Sequence, residues 1–246
     1  MKRVGFVLLS TFLPISLLAW TPASEERIAK KSAALAPPDL RLVIDRFEDD
    51  YARGLLKAQN EEGADAHTFI LISRRGRLRD TIERETRSII NAIRTGEPMP
   101  NVVARLGTLA HYVGDANNPF HLNDSDPRLT TSKDDFERYL ESRLPKFPTV
   151  FYGLDPRFHL ATYLDRTFAR TAKFYPLLQE EYFRDGARRT SASFDDRSTA
   201  FGVASVCYSR SVSDLVNLYY FIWKEAGGDV RSASLMTRGN LLLNAN

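Results

Sequence analysis

Residues 111–121, which read HYVGDANNPFH, hold three side chains that can bind a metal ion. His111 and Asp115 are four residues apart, so on an α-helix they project from the same face. Pro119 ends such a helix, because proline lacks a backbone N–H and disfavours helical geometry at the preceding residue. His121 follows two residues later, where the chain can turn back toward that face. Two imidazoles and a carboxylate form a ligand set suited to zinc. The alternative interpretation is a plain ion pair between His111 and Asp115 on a helix surface.

The elements that must position these residues are predicted to be helices. Thr21-Pro22 is typical of an N-cap and a first-turn proline, and that first helix ends at the Pro37-Pro38 break. Apolar residues at three- and four-residue steps predict a second helix from Leu40 to Leu55. The same periodicity predicts further helices over 79–94, from about 100 into the 111–121 run, over 133–143, over about 157–178 and over about 199–225. We expect one all-α domain spanning residues 20–246.

Composition narrows the class of protein. The chain has 246 residues, of which 43% are hydrophobic and 26% charged, as in an ordinary globular protein. Its net charge of +3 includes Lys2 and Arg3, and without them 32 basic side chains face 31 acidic ones. This balance gives no indication of a nucleic-acid or membrane partner. Cys207 is the only cysteine, which excludes an internal disulfide, and we interpret it as a small buried apolar residue.

Residues 1–19 have the pattern of a secretory signal peptide. Lys2 and Arg3 precede an almost entirely apolar stretch, residues 4–18, that is short for a membrane span. Cleavage after Ala19 is expected, with cleavage after Ala23 and an uncleaved anchor as the alternatives. The sequence therefore predicts export, to the periplasm or the medium, with no transmembrane span after signal cleavage.

The segment LGTLAHYVGDANNPFH resembles the signature helix of the bacterial zinc-dependent phospholipase C family, to which single-strand-specific zinc nucleases are related. The family pattern is HY-(apolar)-GD-x-x-(N/Q)-P-(apolar)-H, and residues 111–121 match each fixed position. The resemblance implies an exported, all-helical protein with a three-zinc cluster. It implies that His111 and Asp115 are ligands, with Asp115 bridging two metals, and that His121 binds the third. It also implies that Trp20 becomes the mature N-terminus and binds zinc through its amino and carbonyl groups.

Two positions depart from the family pattern. The family has a His and an acid four residues apart on the helix after the signature, and here Asp135 matches the acid while Thr131 stands in place of the His. Because a hydroxyl is a poor zinc ligand, His121 and Asp135 would be the only conventional ligands of that metal. The family also has a His in the first helix, and this chain has none there. Glu25 or Glu26 could replace it, although we favour surface acids that match the helix dipole.

The metal site formed by His111 and Asp115 has more of the ligands that the family pattern requires. The family completes it with a second His, for which His67 is the candidate, and with an Asp on an earlier helix. That Asp is Asp50 or Asp49, with Asp65 as a local rival. By resemblance we assign Asp50 the catalytic role of orienting or deprotonating water at the metal. The residues present predict one zinc site with an open position for water rather than a full three-zinc cluster.

Three functions remain open at this point. The first is a zinc-dependent phosphodiesterase that resembles phospholipase C, acts on phospholipid and contacts a membrane peripherally. Within this class a single-strand nuclease is less favoured, although Arg74, Arg75, Arg77 and Arg79 could neutralise phosphates. The second is a degenerate, non-catalytic member that serves as an exported metal-binding module. The third is a helical protein without a metal.

Overall fold

The computed structural model describes residues 20–61 and 63–231, together with the backbone of 241–243. The described residues form nine α-helices: α1 (Pro22–Ala34), α2 (Pro38–Arg46), α3 (Glu48–Glu61), α4 (Leu78–Arg94), α5 (Met99–Ala116), α6 (Lys133–Arg143), α7 (Leu160–Ala172), α8 (Tyr175–Tyr182) and α9 (Thr199–Glu225). The all-α class predicted from the sequence is therefore confirmed. The predicted signal peptide lies outside the described residues.

Two predicted helices are each divided in the structure. The predicted helix from Leu40 to Leu55 breaks at Phe47, whose φ of −121° and ψ of 41° are not helical. The acidic residues 48–50 then occupy the first turn of α3, where the positive end of the helix dipole stabilises them. The predicted helix over 157–178 likewise divides into α7 and α8, and Pro176 lies in the first turn of α8, where its missing N–H costs no hydrogen bond.

One two-stranded ribbon was not predicted. Strand β1 (Thr149–Phe151) pairs antiparallel with strand β2 (Leu241–Leu243), with Val150 opposite Leu242. The backbone after β1 is also fixed to α9, because the Tyr152 N–H donates to the Ser213 hydroxyl at 3.0 Å. The proline-containing link that follows α6 therefore lies along α9.

Helix α5 is surrounded by other helices, and most of its residues are buried. It packs against α1, α2, α3, α4, α7 and α9. Its contact with α3 is very close, because two glycines allow the backbones to meet. A Cβ at Gly107 of α5 would lie 2.0 Å from the Tyr51 carbonyl oxygen, and a Cβ at Gly54 of α3 would lie 1.7 Å from the Ala104 carbonyl oxygen. The helix that carries His111 is thus held in a fixed position relative to α3.

The apolar core has two large clusters. One is formed mainly by α2–α5, α7 and the second half of α9, and the other by Trp20, α6, α8 and the first half of α9. Helix α9 contributes to both, but the single-domain boundary at residues 20–246 stays a prediction. Within the described residues, no helix has the length and apolarity needed to cross a membrane.

Candidate metal centre

The signature run folds as its spacing predicts. His111 and Asp115 lie on α5, one turn apart, and the helix ends at Ala116. The Asn118 side chain then accepts a hydrogen bond from the Phe120 N–H at 3.1 Å, which begins a 3₁₀ turn over Pro119–His121. This turn returns the chain to α5, so that His121 is fully buried beside Asp115.

Backbone hydrogen bonds bring His67 to the same place. His67 ends a short 3₁₀ helix, Ala64–His67. The Phe69 N–H donates to the His121 carbonyl at 2.9 Å, and the Leu71 N–H donates to the Leu122 carbonyl at 3.1 Å. These bonds tie the segment after His67 to the segment after α5, 54 residues away along the chain.

Three ligand atoms converge between these elements. Nδ1 of His67 lies 2.8 Å from Oδ2 of Asp115 and 3.0 Å from Nε2 of His111, and that Nε2 lies 3.4 Å from the same Oδ2. Ligands of tetrahedral zinc at about 2.0–2.1 Å are roughly 3.3 Å apart, so the triangle is close to the size that zinc requires. A ring nitrogen offers either one proton or one lone pair, so hydrogen bonds satisfy this triangle poorly. The group is typical of side chains arranged around a cation.

The tautomer of His121 leaves a further nitrogen free to bind a metal. Nδ1 of His121 donates a hydrogen bond to the His67 carbonyl, which accepts only from a protonated nitrogen. In a neutral ring Nε2 then carries the lone pair, and this buried atom has no hydrogen-bond partner among the described residues. Oδ1 of Asp115 is likewise buried without a hydrogen-bond partner and lies 3.9 Å from Nδ1 of His121. Both atoms are of the type that zinc binds.

Glu25 contacts the other side of the His111 ring. Oε1 of Glu25 lies 2.9 Å from Nδ1 of His111, the nitrogen that faces away from the triangle, and Gln59 donates to Oε2 of Glu25. A carboxylate on the distal nitrogen of a ligating His fixes the ring orientation and increases its basicity. The expectation that Glu25 is a surface acid is wrong, because only 2% of it is exposed. Glu26, by contrast, is exposed and pairs with Lys30.

The charges of these side chains shift one another's pKa values. Burial lowers the pKa of His111, but the carboxylates of Glu25 and Asp115 outweigh it and raise the pKa to about 9. Burial raises the pKa of Asp115, and the three imidazoles outweigh it, so the carboxylate is held ionised. Burial and the Lys133 ammonium lower the pKa of His121 to about 3, which keeps its ring neutral. The Asp115 carboxylate and the neutral His121 ring are therefore in the forms that bind metals, whereas the His111 ring must lose a proton to bind one.

Helix α6 brings a different pair of residues to this centre from the one expected. Glu137 is buried, and its Oε1 lies 4.0 Å from the Lys133 ammonium and accepts from Asn118 at 3.5 Å. The expected positions Thr131 and Asp135 lie two residues earlier in the chain. Asp135 instead accepts hydrogen bonds from the Tyr182 hydroxyl at 2.9 Å and from Ser191, and Thr131 accepts from Arg188. Glu137 and Lys133 are therefore the acid and the base that α6 brings to this centre, and the ligand role of Asp135 stays a prediction.

The other proposed ligands have the following positions. Trp20 is fully buried, and its indole N–H donates to the Gly114 carbonyl at 2.8 Å, which places this residue beside α5. Asp50 accepts from Arg53, and among the described residues no hydrogen bond or ion pair joins it to the histidines. Its rival Asp65 is exposed and pairs with Arg77. The ligand role of Trp20 and the catalytic role of Asp50 stay predictions.

Glu25, Lys133 and Glu137 are the site residues whose positions sequence reasoning missed. For Glu137 a signal existed, because Lys133 and Glu137 have the same four-residue spacing as Thr131 and Asp135. For Glu25 the only signal was its place on the first helix, where the family has its His. Cys207 is buried as predicted, and burial raises the pKa of its thiol to about 12.

Comparison with known proteins gives a similarity of fold to a solved structure. No family model matches the chain, and no curated protein matches its sequence. The crystal structure of alpha-toxin from an avian strain of Clostridium perfringens superposes with a TM-score of 0.60 at 14% identity, covering 84% of this chain. This chain spans 64% of the alpha-toxin chain. At this identity the likeness shows the fold alone, which is a distant phospholipase C-like fold.

Proposed function

We propose that this protein binds zinc through His67, His111 and Asp115 and hydrolyses phosphodiesters at that ion. The observation that carries the proposal is the triangle of ligand atoms with sides of 2.8, 3.0 and 3.4 Å. Three protein ligands leave the fourth tetrahedral position to water, as in catalytic zinc sites. Zinc bound there supplies a Lewis acid that lowers the pKa of water and polarises a phosphoryl oxygen.

The chain's own side chains have separate roles in this proposal. Glu25 holds the His111 ring with Nε2 toward the ion, and the His67 carbonyl holds the His121 ring with Nε2 free. Lys133 places an ammonium group in the buried region next to Glu137, where it can offset the charge of a bound phosphate. Asp50 stays the proposed residue for orienting water, on the family resemblance alone.

The substrate and the location follow from the family resemblance. We propose a phospholipid substrate, reached by peripheral contact with a membrane surface, and export through the signal peptide at residues 1–19. The similarity of fold to alpha-toxin supports the hypothesis of a phospholipase over that of an unrelated helical metal-binding protein. A single-strand nucleic acid is the other substrate to test.

The deciding experiment measures metal content and hydrolysis on the same sample. The exported protein is purified, its N-terminus is sequenced, its zinc is counted, and hydrolysis of phosphatidylcholine vesicles and of single-stranded DNA is followed. His111→Ala is expected to lose zinc and activity together. His159→Ala is the matched control, because His159 is exposed and its ring contacts only Thr162 among the described residues. Phosphodiester hydrolysis that survives His111→Ala with no bound zinc contradicts the proposal.

A second candidate function is supported by the burial of the ligands. The side chains of His67, His111 and Asp115 are 4%, 1% and 0% exposed. Structural zinc sites are closed to solvent, whereas catalytic sites keep an open position. A protein that binds one zinc, unfolds at a lower temperature when the zinc is removed, and hydrolyses neither substrate would be a metal-stabilised binding module instead.

A further inference from the structure

A second polar cavity lies between α7, α9 and the segment after β1. Its volume is about 350 Å³, and it is lined by the side chains of Arg166, Arg170, Arg210, Asp155, Asp214 and Tyr163 among others. The volume is within the range of roughly 300–1,000 Å³ that is typical of small-molecule pockets. None of the residues assigned to the metal centre lines this cavity.

The charges of the lining residues do not balance. Arg170 pairs with Asp214 at 2.6 Å, and Arg166 pairs with Asp155. Asp214 also accepts from neutral donors, because Tyr163 donates to its Oδ1 and Thr167 and Asn117 donate to its Oδ2. No carboxylate lies within ion-pair distance of the third guanidinium, that of Arg210, among the described residues. The cavity thus has three cations and two anions.

Arg210 is held in place by an aromatic ring, with no ion pair among the described residues. Its guanidinium carbon lies 3.5 Å from the centre of the Tyr152 ring, so the flat group stacks on the aromatic face. Burial and the neighbouring Arg170 lower the pKa of Arg210 more than Tyr152 and the Asp214 carboxylate raise it. The Nε–H groups of Arg210 and Arg170 are both buried and have no acceptor among the described residues. A half-buried cation and buried donors without an acceptor are costly unless an anion compensates them.

We propose that this cavity binds a small phosphate-bearing anion, with Arg210 and Arg170 as its charged donors. A guanidinium group donates to a phosphate through two parallel N–H groups. The two donors come from different helices, Arg170 from α7 and Arg210 from α9. A tetrahedral phosphate accepts from two directions at once, whereas a carboxylate accepts within one plane, so phosphate is favoured. Inorganic phosphate and a small phosphate monoester share this chemistry.

The test is calorimetric titration of the purified protein with inorganic phosphate, with glycerol phosphate and with acetate at constant ionic strength. We expect saturable binding of one phosphate per chain, and at least tenfold weaker binding in Arg210→Gln, which removes a charged donor. Glycerol phosphate that binds tighter than inorganic phosphate would identify a monoester as the ligand, and equal binding would identify the phosphate group alone. Acetate that binds as tightly as phosphate overturns the choice of phosphate.

Two controls separate this cavity from the metal centre and from a purely structural arginine. His111→Ala removes a metal ligand and is expected to keep phosphate binding; if it abolishes that binding, the phosphate lies at the metal and the inference is wrong. Arg138→Gln removes an exposed arginine on α6 and is expected to change nothing. Without phosphate, Arg210→Gln is expected to melt no lower than the wild type, because it removes a half-buried charge that forms no ion pair among the described residues. Wild-type phosphate affinity in Arg210→Gln, or a loss of its folded structure, overturns the proposal.

Discussion

Replacing Gly107 by alanine should weaken the metal centre without changing any ligand. Gly107 lies on α5 one turn before His111, at the point where α5 crosses α3. The added methyl group is directed at the backbone of the other helix, which cannot rotate away as a side chain would. The two helices must therefore separate, and α5 must carry His111 and Asp115 with it.

The size of this displacement follows from the structure. The new Cβ would lie 2.0 Å from the Tyr51 carbonyl oxygen, and real Cβ atoms essentially never come closer than 3.0 Å to such an atom, so the local shift is at least 3.0 − 2.0 = 1.0 Å. Overpacking of this kind costs about 1–3 kcal/mol, which corresponds to about 2–12 °C in melting temperature for a domain of this size. Metal sites tolerate errors of only about 0.2 Å in ligand distance, so we expect zinc affinity to fall at least about tenfold.

The assay is thermal unfolding with and without zinc, together with zinc titration against a competing chelator. Gly202→Ala is the matched control, because Gly202 is also helical, on α9, and a Cβ there meets nothing within 4 Å. That variant is expected to be stabilised by about 0.5–1 kcal/mol, since alanine favours a helix over glycine, and to bind zinc unchanged. Gly107→Ala that behaves like Gly202→Ala would refute the argument that the close helix crossing sets the ligand geometry.

Three further predictions concern the metal centre. Glu25→Gln should lower zinc affinity about 10–100-fold, because the Glu25 carboxylate orients the His111 ring. Glu26→Gln, at the exposed neighbouring position, should leave zinc affinity unchanged. Equal affinities of the two variants in zinc titration would contradict the role of Glu25. Lys133→His should increase the number of zinc ions bound at saturation, because the introduced imidazole adds a ligand near Glu137. Elemental analysis counts the zinc, and a number unchanged from the wild type would contradict this prediction. Chelation should lower the melting temperature by about 8–16 °C if free zinc was about 1,000 times its Kd, because zinc at that concentration contributes about 4 kcal/mol to the free energy of unfolding. An unchanged melting curve would show that no such ion was bound.

The sequence predicted the central helix and the relative positions of His111, Asp115 and His121 well, because the signals there are local. A four-residue spacing, a helix-ending proline and a His two residues later fix His111, Asp115 and His121 relative to one another without reference to the rest of the fold. The observed bounds of α6 and α9 agree with the predicted ranges, 133–143 and about 199–225, for a related reason. Segments that are polar or that contain proline or glycine border both helices and interrupt the apolar periodicity.

The misses depend on contacts between distant segments. Glu25 was expected at the surface because the dipole preference of a first turn is local, whereas its burial depends on α1 packing over α5. The break at Phe47 was missed because apolar periodicity continues across it, although the three acids after it mark a new helix start. The choice of Asp135 over Glu137 is a two-residue shift, which turns a side chain by about 200° around a helix. Which of the two acids faces the centre cannot be decided without knowing which face of α6 meets it.

The charges of the centre favour one zinc ion over two or three. Glu25, Asp115 and Glu137 are three buried carboxylates, and Lys133 is the one lysine paired with them in the described structure. Burial raises the pKa of Glu25 and raises that of Glu137 to about 9, so both carboxyls are ionised only where a nearby cation holds them so. With all three carboxylates ionised and the imidazoles neutral, these groups sum to −2. One divalent ion brings the buried group to neutrality, whereas two would leave it at +2, and an uncompensated charge of that size is costly in the interior. The Lys133 ammonium thus offsets part of the negative charge that a further metal ion would otherwise offset. We therefore expect zinc binding to saturate near one equivalent in the wild-type protein.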